Sequence, residues 1–207
     1  MPDSQLAYRY SDSCIVMFAR APVLGQVKTR LIPALGNQGA LDIHIELMHQ
    51  QIEVLNQSAL CSAQLWVDQQ PRHSTFKNFT GEVKLQDGQN LGDKMYHATQ
   101  EVLKHFSKVI IIGSDCPDID EAYLEQALQE LDKNTIDVVL GPALDGGYVL
   151  IAMKQIHQGV FQDIEWGSEF VLQQTVSKLN NYGLRFFLLS ALRDIDTSED
   201  LLSLEQK

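Results

Sequence analysis

Cysteine is scarce in this sequence, and its placement excludes two kinds of scaffold. Cys14, Cys61 and Cys116 are the only three in 207 residues, with no CxxC pair and no adjacent histidine. Neither a disulfide framework nor a structural zinc site has the spacing it needs, which predicts reduced thiols and a cytoplasmic protein. No apolar run approaches the roughly 18 residues of a membrane span, and the opening MPDSQLAYRY lacks the basic-then-apolar order of a signal peptide. Positive charge is also in short supply. Sixteen Lys and Arg face 27 Asp and Glu, a formal charge of −11, and such a surface repels the backbone of a nucleic acid. Familiar phosphate signatures are missing too: no GxGxxG follows an apolar run, and Pro22 and Val27 stand where a Walker loop needs glycine. With no linker, repeat or low-complexity tract, the length predicts one domain over 1–207, its residues 1–12 a loose N-terminal extension.

What is present alternates. Apolar runs at Cys14 to Ala19, Ala63 to Val67, Val109 to Ile112, Asp137 to Leu140, Tyr148 to Met153 and Leu184 to Leu189 predict buried strands. Between them, Leu41, Ile45, Met48, Ile52 and Leu55 recur at helical spacing, as do Leu91, Met95, Ala98, Val102 and Phe106. Leu124, Ala127, Leu128 and Leu131 follow the candidate cap Asp120, and Val171, Leu172, Val176 and Leu179 follow the candidate cap Ser168. Strands alternating with helices predict an α/β fold, a mostly parallel sheet with helices on both faces. Such sheets bind ligands at the carboxyl ends of their strands.

The loops after the strands therefore hold the candidate site. After Ala19 comes Arg20-Ala-Pro-Val-Leu-Gly25-Gln-Val-Lys28-Thr29-Arg30, and no acidic residue occurs from Ser13 to Leu41. This loop reads either as a phosphate grip or as ordinary surface cations. After Ile112 comes Gly113-Ser-Asp115-Cys-Pro117-Asp118, which puts the Asp115 carboxylate at a strand's edge, where it can bind Mg2+ together with nucleotide phosphates. Asp118 and Asp120 read as turn and cap residues. Leu144-Asp145-Gly146-Gly147-Tyr148 allows close backbone approach to a ligand, or a simple hairpin turn. Gln86-Asp-Gly88-Gln-Asn90 offers an amide to a base edge, or a polar turn with Asn90 as cap. In Arg193-Asp194-Ile-Asp196-Thr197, Asp196 or Thr197 reads as an N-cap, and Trp166 reads as a staple at a helix start. His44 and His49 are expected to face solvent or a helix flank, and none of the six histidines has an obvious carboxylate partner.

In order, FARAPVLGQVKTRL, QDGQNLGDKM, IIIGSDCPD, LGPALDGGYVLI, IEWGSE and RDIDTSEDL resemble a bacterial family of glycosyltransferase-like proteins described as associated with radical-SAM or selenodomain proteins. That family lies in the nucleotide-diphospho-sugar transferase superfamily and is distantly similar to molybdenum-cofactor and phospholactate guanylyltransferases. The resemblance implies a three-layer, Rossmann-like GT-A fold. It implies that Arg20, Gly25, Lys28, Thr29 and Arg30 meet nucleotide phosphates, that Gln86 and Gly88 lie near the base, and that Asp115 binds Mg2+ or Mn2+. It further implies an acceptor side of Asp145, Gly146, Gly147 and Tyr148, with Asp196 a second metal contact. Two departures stand out: the first loop is not GGxSxRxG, and Asp115-Cys-Pro is not DxD.

The expectation that follows is a Mg2+-dependent transferase using a nucleotide-activated donor, with Asp115 and Lys28 at its catalytic centre and a small-molecule acceptor. Sugar transfer and nucleotidyl transfer with pyrophosphate release both fit, and so does a non-catalytic nucleotide-binding subunit. A homodimer stays open.

Overall fold

Every residue of the first strand is apolar or small, and such a strand is stable only when both faces are covered. In the computed structural model, which describes residues 8–70, 73–155 and 157–204, β1 (Ser13–Ala19) is buried along its whole length. It sits centrally in a seven-stranded sheet with β2 (Ser62–Val67), β3 (Glu82–Leu85), β4 (Lys108–Gly113), β5 (Val138–Pro142), β6 (Tyr148–Met153) and β7 (Phe186–Leu188). The order is β3-β2-β1-β4-β6-β5-β7. Pairing is parallel throughout except that β6 runs antiparallel to both β4 and β5. One edge of the sheet therefore gathers the carboxyl ends of six strands and the start of β6.

Side-chain alternation divides the core. Ile15 and Met17 of β1 face one layer, with Met48 and Ile52 of α1 (Ile32–Gln57) and Leu124 and Leu128 of α3 (Glu121–Asp132). Val16 and Phe18 face the other, with Met95 and Ala98 of α2 (Leu91–Val102) and Leu179 of α4 (Val171–Asn181). A short α5 (Ser198–Leu204) follows. These three layers are the predicted α/β, Rossmann-like arrangement.

Asp120 and Asn90 cap α3 and α2 as expected, each side chain accepting the backbone N–H three residues on. Several details differ. The edge strand β3 escapes a hydrophobicity reading because Glu82 and Lys84 alternate with Val83 and Leu85. Gly36, at φ 69°, breaks α1 near its start. The buried stripe of α1 includes His44 and Gln51, while Leu41 and Ile45 are only half-buried. Ser168 does not cap α4; its hydroxyl accepts the N–H of Phe170, the residue directly before the helix. Thr197 rather than Asp196 caps α5, exchanging bonds with Asp200 in a capping box. Of the N-terminal extension, 1–7 lie outside the described residues. The rest is tied down: the Arg9 and Tyr10 N–H groups donate to Ala59 O and Leu60 O, and Arg9 pairs with Glu121 and Glu125.

Candidate active site

The loop after β1 is shaped by its own backbone and by a carboxylate just beyond β2. Gly25 adopts φ 75° and Lys28 φ 47°, both left-handed, so the chain turns sharply on either side of buried Val27. Asp68 accepts the Ala21 N–H at 2.7 Å and lies 3.9 Å from the Arg20 guanidinium. On the opposite side, His44 Nε2 lies 3.0 Å from Arg20 O. A carbonyl only accepts, so Nε2 carries the proton and Nδ1 faces Asp115 Oδ1 at 3.9 Å. Burial holds this imidazole below its ordinary pKa, against the opposing pulls of the Arg20 carbonyl and Asp115. The expectation that His44 faces solvent or a helix flank is thus overturned: it is buried beside a carboxylate. His49 is exposed, as expected.

Lys28 is the centre of this edge. Its ammonium is buried and donates to Ile195 O at 2.5 Å, while Asp115 Oδ2 lies at 3.0 Å and Asp196 Oδ1 at 3.2 Å. The segment carrying Asp196 is held there because the Ile195 N–H donates to Asp115 O at 3.0 Å. Arg30 reaches the other oxygen of Asp196 at 3.4 Å. Lys28 is therefore an internal counter-ion between two carboxylates, more than an open phosphate grip.

Around this centre lie two adjoining concave spaces that share Phe18, Leu91 and Gly113. The first, a groove, runs past Arg20, Asp68, Gln86, Lys94, Ser114 and Asp115. Gln86 is turned inward, its amide donating to Trp66 O at 2.9 Å and Ala19 O at 3.3 Å, which binds β3 to the ends of β2 and β1. The second is a cavity of about 220 Å3 bounded by Met95, Asp145, Gly147, Tyr148, Trp166 and Asp194 among others. Its outer wall is fixed by contact between two loops. The Leu172 N–H donates to Gly146 O at 2.9 Å, and a Cβ on Gly146 would stand 2.2 Å from Glu169 O.

Asp194, half-buried, is pushed up to about 6, first by burial and then by the nearby Asp145. The three thiols are free and buried, and burial drives each to about 12, which makes them inert as nucleophiles.

Of the sequence-derived candidates, Arg20, Lys28, Gln86, Asp115, Asp145, Gly147, Tyr148 and Asp196 meet at this edge. Gly25, Thr29 and Gly88 line neither space, Gly146 supports the cavity's rim, and Arg30 turns to Asp196. Sequence reasoning passed over Lys94, Asp194, Phe18 and the wall position of Trp166. Lys94, Asp194 and Trp166 all lie inside QDGQNLGDKM, RDIDTSEDL and IEWGSE, the stretches already singled out.

Among the described residues, no group of three or more His, Cys, Asp and Glu is arranged to hold a metal ion. The donors that are present, carboxylate oxygens of Asp115 and Asp196, suit Mg2+, which commonly takes one or two carboxylates and completes its shell with phosphates and water. They fit an ion that arrives with a nucleotide, with Asp115 Oδ1 the oxygen left clear of Lys28. No described helix is long and apolar enough to cross a membrane.

Residues 51–168 match the family described as an uncharacterized protein conserved in bacteria (DUF2064). Among solved structures, a protein from Desulfovibrio desulfuricans G20, provisionally named a nucleotide-diphospho-sugar transferase, is 32% identical with a TM-score of 0.85, covering 94% of this chain and 86% of that one. CMP:2-keto-3-deoxy-manno-octonic acid synthetase in complex with CTP is 14% identical with a TM-score of 0.60, covering 95% and 98%. A 4-diphosphocytidyl-2C-methyl-D-erythritol synthase from Anaerococcus prevotii DSM 20548 is 10% identical with a TM-score of 0.63, covering 95% and 99%. These two share the fold. No curated protein matches the chain.

Proposed function

The chain belongs to the DUF2064 family, and from that premise we propose that it is a transferase whose nucleotide-activated donor lies in the groove with Mg2+. The observation that carries the reading is the Asp115–Lys28–Asp196 centre at the sheet's carboxyl edge, with the cations Arg20 and Lys94 in the groove beside it. Arg20 and Lys94 would hold phosphate oxygens, Arg20 by its fork and Lys94 as a point charge. Lys28 keeps Asp115 and Asp196 close together without mutual repulsion. Asp115, joined by Asp196 if Lys28 shifts, would hold the ion. Mg2+, when bound, supplies charge neutralisation at the phosphates. Transfers of this type depend largely on positioning and electrostatics, so a buried His44 that serves Arg20 O is compatible with catalysis.

Sugar transfer is the leading form, supported by the provisional name of the 32% identical relative. Nucleotidyl transfer is the second, supported by the shared fold of the CTP-bound synthetase. The first releases a nucleoside diphosphate and the second pyrophosphate, so product analysis separates them.

The reading is tested by a thermal-shift screen of nucleoside triphosphates and nucleotide sugars with and without Mg2+. A ligand at 100 times its Kd stabilises by about 2.7 kcal/mol. A Mg2+-dependent shift from at least one donor is expected, and a uniformly flat screen refutes the proposal.

A further inference from the structure

The cavity beside the groove has walls of a different chemistry. Tyr148 and Trp166 meet edge to face with centroids 6.3 Å apart, and Phe18 and Met95 add further apolar surface. The charged side chains on its lining are Asp145 and Asp194, and among the described residues no Lys, Arg or His lines it. Asp145 Oδ1 accepts the Gly147 N–H at 2.9 Å, which fixes the carboxylate at the rim. Asp194 receives no side-chain hydrogen bond from the described residues. Asp145 keeps its outer oxygen toward solvent at the rim, whereas half-buried Asp194 beside apolar walls is short of donors, and there an entering anion meets repulsion that water screens less well than in the open.

We infer that the cavity is the acceptor compartment for a molecule with an apolar body and an uncharged or cationic hydrogen-bond-donating head, a hydroxyl or an ammonium, and that it rejects acceptors bearing phosphate or carboxylate. The body lies against Tyr148 and Trp166, and the head faces Asp145 and Asp194. An ammonium head gains further from the aromatic faces. This rests on the transferase reading above and narrows it: anions belong to the groove, and the acceptor does not carry one.

The test uses phenethyl alcohol, phenethylamine and phenylacetate, which share an aromatic body and differ in the charge of the head. Each is titrated into the full chain at mildly alkaline pH and followed through the indole N–H signal of Trp166. The Trp166→Phe variant assigns that signal against Trp66, the only other tryptophan. The alcohol and the amine are expected to move it, with phenylacetate weaker by about tenfold or more. Asp194→Asn, and its combination with Asp145→Asn, should narrow the gap; the single variant keeps the test open if the double one does not fold. Phenylacetate binding as tightly as the alcohol, an unchanged gap in the variants, or no response of Trp166 to any of the three overturns the inference. A nucleoside triphosphate titrated into the same samples reports on the groove separately. Charge discrimination without nucleotide binding defeats the transferase reading, and nucleotide binding without discrimination defeats this one.

Discussion

The groove and the cavity open on the same edge of one sheet and share Phe18, Leu91 and Gly113, yet their charges are arranged differently. The groove sets Arg20 and Lys94 beside Asp68 and Asp115; the cavity sets Asp145 and Asp194 beside an aromatic wall, with no cation on its described lining. Lys28 is joined to both sides, touching Asp115 of the groove and Asp196, two residues beyond Asp194 of the cavity. In a chain of net charge −11, the proposed phosphate site would rest on Arg20 and Lys94 and on the Mg2+ that offsets Asp115, because nearby groups set the local field and distant ones are screened.

The largest break in this comparison should come from Lys28→Met. Removing the ammonium leaves Asp115 and Asp196 facing each other and Ile195 O without its donor. Both carboxylates keep partial access to water, so a loss of about 2 to 3 kcal/mol is expected, at the low end for a broken buried pair. Urea denaturation measures it, and nucleotide binding should fall with it. Gly146→Ala should strike the cavity alone. Its φ of 92° and the 2.2 Å approach to Glu169 O imply a cost of about 2 kcal/mol, with the response of Trp166 to phenethyl alcohol weakened and nucleotide affinity kept.

Lys94→Ala is the converse. A lost phosphate contact at a half-exposed site is worth about 1 kcal/mol, so nucleotide affinity should drop several-fold by calorimetry, more at low salt, while the Trp166 signal responds as before. The smallest effect belongs to a pair outside both spaces. Arg185 holds the Asp137 carboxyl down at about 2. A depressed carboxyl stabilises the fold fully above its unfolded pKa near 4 and loses that contribution as pH falls through about 2. Asp137→Asn should flatten the acid limb of the stability curve by about 1 kcal/mol or less, since the pair is at the surface. It should leave groove and cavity binding unchanged.

The framework was legible where one residue type satisfies one environment. β1, β4 and β6 are continuous apolar runs because both their faces are covered, and Asp120 and Asn90 cap helices through bonds only three residues long. β3 was not legible, because this edge strand is buried on neither face: Glu82 and Leu85 meet solvent, and Val83 and Lys84 are only half-buried, Lys84 lying over the Trp66 ring. The site was legible as a set of loops and less so as a set of roles. Nothing local in Gly25-Gln-Val-Lys28 announces that its ammonium folds back onto Ile195, or that His44, on a helix, sits beside Asp115. Those relations depend on long-range packing across β1 and β4, which a linear pattern does not contain. Trp166 shows the same limit: its place before α4 suggested a staple, and only the turn at Gly146 brings it into a cavity wall.

The central claim is that nucleotide phosphates bind at the edge held by Asp115. Isothermal titration of a Mg2+–nucleoside triphosphate into the wild-type chain and into Asp115→Asn tests it most directly, with thermal melts confirming that both are folded. The account predicts binding to the wild type that is Mg2+-dependent and weakened by about tenfold or more in the variant, the loss of roughly one charge-assisted contact. Equal affinity in the two folded proteins, with or without Mg2+, would contradict it.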